Sequence, residues 1–200
     1  MDQETLLTRK RYNRTAKIYD LMDRMIKPDL RSRVLGLAAG KVLEVGVGTG
    51  NNLRYYPEGC EVTGIDLSPG MLAKAKAKVK EAKVAVTLLE MDAQNLKFPD
   101  NHFDTVVATC VFCSVPDPLK GLQEIKRVCK PNGKVILLEH VRSENPILGK
   151  IMDILDPLTV RLIGPHINRR TVENVQKTGM KIQSVEDQKT KILKLIISEP

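Results

Sequence analysis

Apolar residues follow two different rhythms along the chain. Over residues 2–39 they recur at helical spacing, with Ile18, Leu21, Met22 and Met25 in one run and Leu30, Val34 and Leu37 in another. Pro28 stands between the runs, where it ends one helix and opens the next, so two helices are expected. Their polar side is basic: Arg9, Lys10, Arg11, Arg14, Lys17, Arg24 and Lys27. From residue 41 short apolar runs alternate with helical patterns. Residues 41–45, 61–65, 85–89, 103–109 and 133–138 read as strands, the last following the turn Lys130-Pro131-Asn132-Gly133. A short helix is expected at 51–56 and another at 117–129; a longer one spans 69–82, with Ser68 as N-cap and Pro69 in its first turn.

Strands alternating with helices at this spacing mean βαβ units and a largely parallel sheet. Right-handed crossovers gather the loops after each strand along one edge, where ligands bind. Residues 144–165 depart from the rhythm and read as an apolar helical insert. A helix at 169–177 follows, with Asn168 as N-cap and Gly179 just past its end. Two strands at 181–186 and 192–198 then suit an antiparallel hairpin at the sheet edge. The expected organisation is an N-terminal helical segment, 1–39, and an α/β unit, 40–200, with the insert near 145–165.

Composition narrows the partners. With 200 residues and 42% apolar content the chain can bury roughly 70% of its unfolded surface. A net charge of +8 favours anionic partners. The absence of Trp, with three Phe and four Tyr, disfavours a base-stacking platform for single-stranded nucleic acid. No apolar run is long enough to span a bilayer, and the N-terminus is too polar for a signal peptide. Four scattered cysteines suit the reducing cytosol. Cys110-Val111-Phe112-Cys113 has Cys-x-x-Cys spacing, but Cys60 and Cys129 stand alone, so packed thiols are expected rather than a metal or redox centre.

The strongest chemical signal is Val42-Leu43-Glu44-Val45-Gly46-Val47-Gly48-Thr49-Gly50-Asn51. Gly46 and Gly48 permit a tight turn and close backbone approach to a ligand, and Gly50 permits close helix packing. The loop follows a strand, and Asp66 stands 20 residues after Gly46, where an acid accepts ribose hydroxyls. No Lys-Ser/Thr follows, so the loop is not a P-loop. Glu44 before it suits a cationic amino group better than a diphosphate.

Four motifs together resemble class I S-adenosylmethionine (SAM) dependent methyltransferases: Glu44 to Gly50, Gly64-Ile65-Asp66-Leu67-Ser68, Met91-Asp92-Ala93-Gln94, and Leu122 to Glu139 with its Lys-Pro-Asn-Gly turn. The resemblance implies a Rossmann-like, seven-stranded, mostly parallel sheet with helices on both faces, an antiparallel edge hairpin and an N-terminal helical lid. It implies SAM as cofactor and S-adenosylhomocysteine as product. It implies that Glu44, Gly46, Gly48, Gly50 and Asn51 lie at the amino-acid portion and Asp66 at the ribose. Leu67, Met71, Asp92 and Ala93 would surround the adenine, and Cys110 would face the methionine portion.

The acceptor is less legible. Residues 12–20, Tyr-Asn-Arg-Thr-Ala-Lys-Ile-Tyr-Asp, resemble the lid helix of quinone C-methyltransferases, which implies that Tyr12 and Tyr19 close over the cofactor. Cys113-Ser114-Val115-Pro116-Asp117-Pro118, Glu139-His140-Val141 and Gly164 to Thr171 are similar to thiol methyltransferases of the microsomal type and to bacterial phospholipid N-methyltransferases. The basic N-terminal helix suits an anionic membrane surface, and the apolar insert suits a roof over a lipophilic acceptor. Arg161, Arg169 and Arg170 suit a phosphate. His140 and Tyr19 are the catalytic candidates, with Glu139 and Asp156 behind them; Tyr19, His140, His166, Arg169 and Arg170 are candidates for holding the acceptor. The first expectation is a cytoplasmic enzyme, peripheral on the inner membrane face, that methylates a phosphatidylethanolamine-type amine. Thiol or quinone acceptors and a SAM-binding regulator without turnover are the alternatives. Nucleic acid is not favoured as a partner.

Overall fold

A computed structural model describes residues 1–23, 26–188 and 190–200. Met25 of the expected apolar run and Arg24 of the basic face lie outside the described residues, and the Met22 side chain is likewise not described. Seven strands form one sheet: β1 (Lys41–Val45), β2 (Glu61–Asp66), β3 (Ala85–Glu90), β4 (Phe103–Thr109), β5 (Cys129–His140), β6 (Lys181–Asp187) and β7 (Leu193–Glu199). Their order is β3-β2-β1-β4-β5-β7-β6. The first five pair in parallel, β7 runs antiparallel to β5, and β6 pairs antiparallel to β7 at the edge.

Alternation along the strands divides the core into two layers. Leu43, Val106, Val135 and Leu137 face one side, where they meet Leu122, Ile125 and Val128 of α5 (Pro118–Val128) and Val175 of α7 (Thr171–Lys177). Val42, Val107, Ile136 and Leu138 face the other, against Val34 and Leu35 of α3 (Pro28–Leu35) and Leu72 and Ala75 of α4 (Pro69–Lys78). Strands buried on both faces read as continuous apolar runs, which is why the central ones were legible. Ser68 caps α4 by accepting from the Met71 amide at 3.1 Å, and Asp117 caps α5 through the Lys120 amide at 3.1 Å.

Several boundaries differ from expectation. Among the described residues the N-terminal segment holds three helices, because α1 (Gln3–Thr15) ends at Ala16 and a single turn, α2 (Tyr19–Met22), follows before α3. Ile18 and Leu21, expected on a packed face, are 60% and 66% exposed. Residues after the glycine loop form only a 3-10 turn, Leu53–Tyr55, and α4 stops at Lys78 before a second such turn. Helix α7 starts at Thr171 with Arg170 in the N-cap position, so Asn168 is not its cap; Gly179 does follow it with φ +73°. The insert is α6 (Pro146–Leu162), capped by the Asn145 side chain. Its Ile and Leu side chains point outward instead of roofing a cleft.

Candidate active site

The carboxyl ends of β1, β2 and β4 open into a cleft of about 640 Å³, its mouth included. β1 leads into Gly46, whose φ of +66° and position against Val111 leave no room for a side chain: a Cβ there would sit 2.5 Å from Val111 Cγ2. Gly48 also has positive φ, +56°, and its amide donates to Asp66 Oδ2 at 2.9 Å. The Ser68 amide donates to Asp66 Oδ1 at 2.8 Å, so two backbone N–H groups hold this carboxylate at the cleft wall. Burial raises its pKa to about 6, against the opposing pull of the two amides. Asp92 lines the cleft further on and is oriented by the amide and side chain of Gln94.

The roof comes from the N-terminal segment. Tyr12 and Tyr19 meet edge to face with centroids 6.2 Å apart, and Tyr19 stands over Gly48. The Tyr12 hydroxyl is hydrogen-bonded to Ser114 Oγ. Burial drives both phenols well above their ordinary pKa, so they are neutral. Helix α1 is fastened across β2 and α4: Asn13 Oδ1 accepts from the Gly70 amide at 2.9 Å, and Arg9 reaches the Leu67 carbonyl and Glu90. Helix α2 latches onto the glycine loop itself. Asp20 Oδ1 accepts from Thr49 Oγ1 at 2.5 Å and from Asn51 Nδ2 at 3.1 Å, and its carboxylate pairs with Lys78. Burial raises the Asp20 pKa, but the Thr49 hydroxyl and the Lys78 ammonium outweigh it and hold the carboxyl below its ordinary value.

Of the expected cofactor residues, Tyr12, Gly46, Gly48, Asp66, Leu67, Met71, Asp92, Ala93 and Cys110 come together on this cleft, and so does Tyr19. Glu44, Gly50 and Asn51 do not line it. Glu44 lies wholly buried behind the loop, where it accepts from Asn52 Nδ2 at 2.7 Å and from the Tyr56 hydroxyl at 2.9 Å. It is a strut for the loop, not a contact for an amino group, and burial lifts its pKa to about 7. Gly50 packs against Ala75 of α4, and Asn51 turns to Asp20 and Asp23.

The acceptor candidates scatter. His140 is half-buried at the end of β5, off the cleft lining, and burial lowers its pKa. Glu139 is wholly buried and holds the segment after β4, accepting from the amides of Val111 and Phe112 at 2.9 and 3.2 Å. His166 pairs with Asp156 at 2.7 Å, and its amide donates to the Cys113 carbonyl beside the rim. Arg169 donates to the Val115 carbonyl at 2.9 Å, and exposed Arg170 pairs with Glu173. Arg161 is exposed on α6. No arginine therefore lines the cleft among the described residues. Sequence reasoning gave no role to Val45, Ile65 and Met91 within the quoted motifs, nor to Thr8, Val111, Ser114, Val115 and Pro116, which complete the wall. The last three stand in the quoted Cys-Ser-Val-Pro motif, so a signal existed; Thr8 had none. Cys110, at φ +54°, is turned into the cleft, and burial keeps its thiol and that of Cys113 protonated, the latter with a pKa pushed up to about 12.

Comparison with known proteins places these features. The methyltransferase domain model matches residues 43–137. The chain is 42% identical over 142 residues to the phosphatidylethanolamine N-methyltransferase of Cereibacter sphaeroides, covering 68% of this chain and 70% of that protein. This chain belongs to the SAM-dependent methyltransferases. A thiol S-methyltransferase of Rattus norvegicus is 33% identical over 173 residues, 82% of this chain and 70% of that one. Quinone C-methyltransferases stand among the further relatives. A SAM-dependent methyltransferase from Thermotoga maritima superposes with a TM-score of 0.71 at 19% identity, covering 95% and 98% of the two chains, which speaks to the fold alone.

The cleft fits SAM on chemical grounds. Its walls hold two carboxylates and no Lys or Arg among the described residues, a poor seat for a diphosphate and a good one for a cationic nucleoside. Leu67, Met71, Ile65 and Met91 offer an apolar slot for a base. The two phenol rings offer π faces that attract a cation.

Proposed function

We propose that this methyltransferase N-methylates the primary amine of a phosphatidylethanolamine-type lipid at the cytoplasmic membrane face. The observation that carries the reading is the lining of the cleft. Its two acidic side chains are Asp66 and Asp92, which we assign to the ribose and the adenine amino group. What remains near the rim is neutral: Tyr12, Tyr19, Ser114 and the thiol of Cys110. Such a lining serves an acceptor that brings its own lone pair, and the likeness to a phosphatidylethanolamine N-methyltransferase favours an amine.

Bound SAM supplies an electrophilic methyl group on a sulfonium sulfur. The chain supplies orientation and dryness, which can account for much of the acceleration of such a displacement. Asp66, fixed by two amides, sets the nucleoside along the sheet edge. Tyr12 and Tyr19 shut the cleft above the glycine loop and exclude water. Val115 and Pro116 shape the acceptor side. The Tyr12–Ser114 hydroxyl pair accepts a hydrogen bond from the amine, which must enter as the free base after leaving a proton in solvent; both hydroxyls stay neutral, so the product leaves as the methylated ammonium and carries the remaining proton out with it.

The test is transfer of tritiated methyl from SAM to phosphatidylethanolamine vesicles, an alkyl thiol and a demethylated quinol in parallel. Label in the lipid is expected. Label in the thiol alone refutes the amine reading and favours S-methylation, which the likeness over 82% of this chain to a thiol methyltransferase supports as the second choice.

A further inference from the structure

Helix α6 carries seven exposed aliphatic side chains: Ile147, Leu148, Ile151, Ile154, Leu155, Leu158 and Leu162, between 44% and 77% accessible. At about 100° per residue they fall within one arc of about 120°. The opposite face is the packed one, where Gly149, Met152 and Asp156 are buried. An unpartnered stripe this long is not the scatter of single apolar residues that a soluble surface normally shows.

The charges around the stripe identify what covers it. Lys150 and Arg161 flank one side, and Lys191 lines the shallow groove beside Ile147, Leu148 and Ile151. Both acids of the helix lie elsewhere: Asp153 pairs with Arg142 at 2.8 Å, and Asp156 turns inward to His166 and the Ile167 amide. The chain as a whole carries +8. An acid-free aliphatic stripe with basic flanks matches the interface of an anionic bilayer. It matches a second copy poorly, because antiparallel pairing of two α6 helices sets Lys150 of one against Arg161 of the other.

We infer that α6 is the membrane-docking element of this chain, lying in the interface of an anionic lipid bilayer with its aliphatic stripe among the acyl chains. The basic N-terminal helix is partly engaged elsewhere: Arg9 is spent on Glu90 and the Leu67 carbonyl, and α1 packs on α4. The placement also orients the cleft. The C-terminal end of α6 runs into Gly164, which packs by Arg11 and Tyr12, and into His166, bonded to the Cys113 carbonyl. A bilayer under α6 therefore reaches the rim formed by Tyr12 and Ser114. Docking holds whatever the acceptor; only delivery of a lipid amine to that rim rests on the function proposed above.

The test is co-sedimentation with vesicles of phosphatidylcholine and phosphatidylglycerol, free of any amine lipid, so that a wrong acceptor leaves it unaffected. The protein is expected to sediment with them and to do so weakly with phosphatidylcholine alone. The double variant Ile154→Asp/Leu158→Asp should lose roughly tenfold or more in bound-to-free ratio. Both side chains are exposed and outside the cleft, so its SAM titration should match the wild type. The variant Lys10→Gln/Arg14→Gln/Lys17→Gln should still sediment. Failure of the wild type to sediment, or undiminished binding by the double variant, overturns the inference. So does a wild-type dimer in light scattering that the double variant dissolves.

Discussion

Asp66 makes the cofactor site testable by pH as well as by substitution. Two backbone amides occupy one lone pair on each oxygen, at 2.8 and 2.9 Å, and the carboxylate lines the cleft with what remains. Asp66→Asn keeps the shape but removes the charge and turns one acceptor into a donor facing an N–H. A hydrogen bond to a charged group contributes about 1.5–3 kcal/mol, so SAM should bind roughly ten- to a hundredfold more weakly at pH 8. The wild type should itself be pH-dependent, because burial raises the Asp66 pKa to about 6. If only the ionised form accepts from the ligand, affinity is full above pH 7 and lost as pH falls through 6, reaching roughly a tenfold loss at pH 5. Folding runs the other way. The folded state holds this proton more tightly than the unfolded chain, so the Asp66 contribution to stability grows as pH falls from 6 towards the ordinary value of 3.8. Loss of affinity at pH 5 is then not incipient unfolding by this group. Calorimetric titration of SAM into both proteins between pH 5 and 8, with melting curves alongside, reads all of this. Equal affinity at pH 8, or the same pH slope in the Asn variant, refutes the assignment; the second result would shift attention to Glu44 and Glu139, whose pKa values burial lifts to about 7.

Two further outcomes follow from the loop and its lid. Gly46→Ala places a Cβ 2.5 Å from Val111 Cγ2 at φ +66°, so thermal unfolding should show a loss of about 1–3 kcal/mol together with weaker SAM binding. Tyr19→Ala opens the cleft above Gly48 without touching the sheet core; SAM affinity measured by calorimetry should fall about tenfold at nearly unchanged melting temperature.

What was legible in the sequence was local chemistry. Gly46 and Gly48 announce their positive φ, Ser68-Pro69 announces a helix start, and Asp66 at the end of β2 announces an acceptor, because each depends on neighbours in the chain. What was not legible depended on residues far away. Nothing in Ala16-Lys17-Ile18 marks the end of α1; the break comes where Asp20 meets Thr49, Asn51 and Lys78. Glu44 precedes the loop as an acid for a ligand would, yet Asn52 and Tyr56 take up its carboxylate from behind. The apolar run of α6 fits a roof as well as an outward stripe, and only the buried Gly149, Met152 and Asp156 decide which side faces in.

The sheet order also sets a timetable for assembly. β5 carries five consecutive wholly buried residues, Val135 to Glu139, and finds one neighbour in β4 soon after synthesis. Its other neighbour is β7, which pairs Val135 with Ser198 and His140 with Leu193. Closing those long loops comes late, because their entropy must be spent before any contact rewards it. The strands that frame the cleft, β1, β2 and β4, end by residue 109, and the rest of its wall follows at Cys110 to Pro116, held by Glu139 of β5; none of it waits for β7. A nascent chain thus shapes its nucleoside cleft while one side of β5 is still an open edge. That edge is the exposed seam through which a chain stalled before residue 193 would pair with another and aggregate.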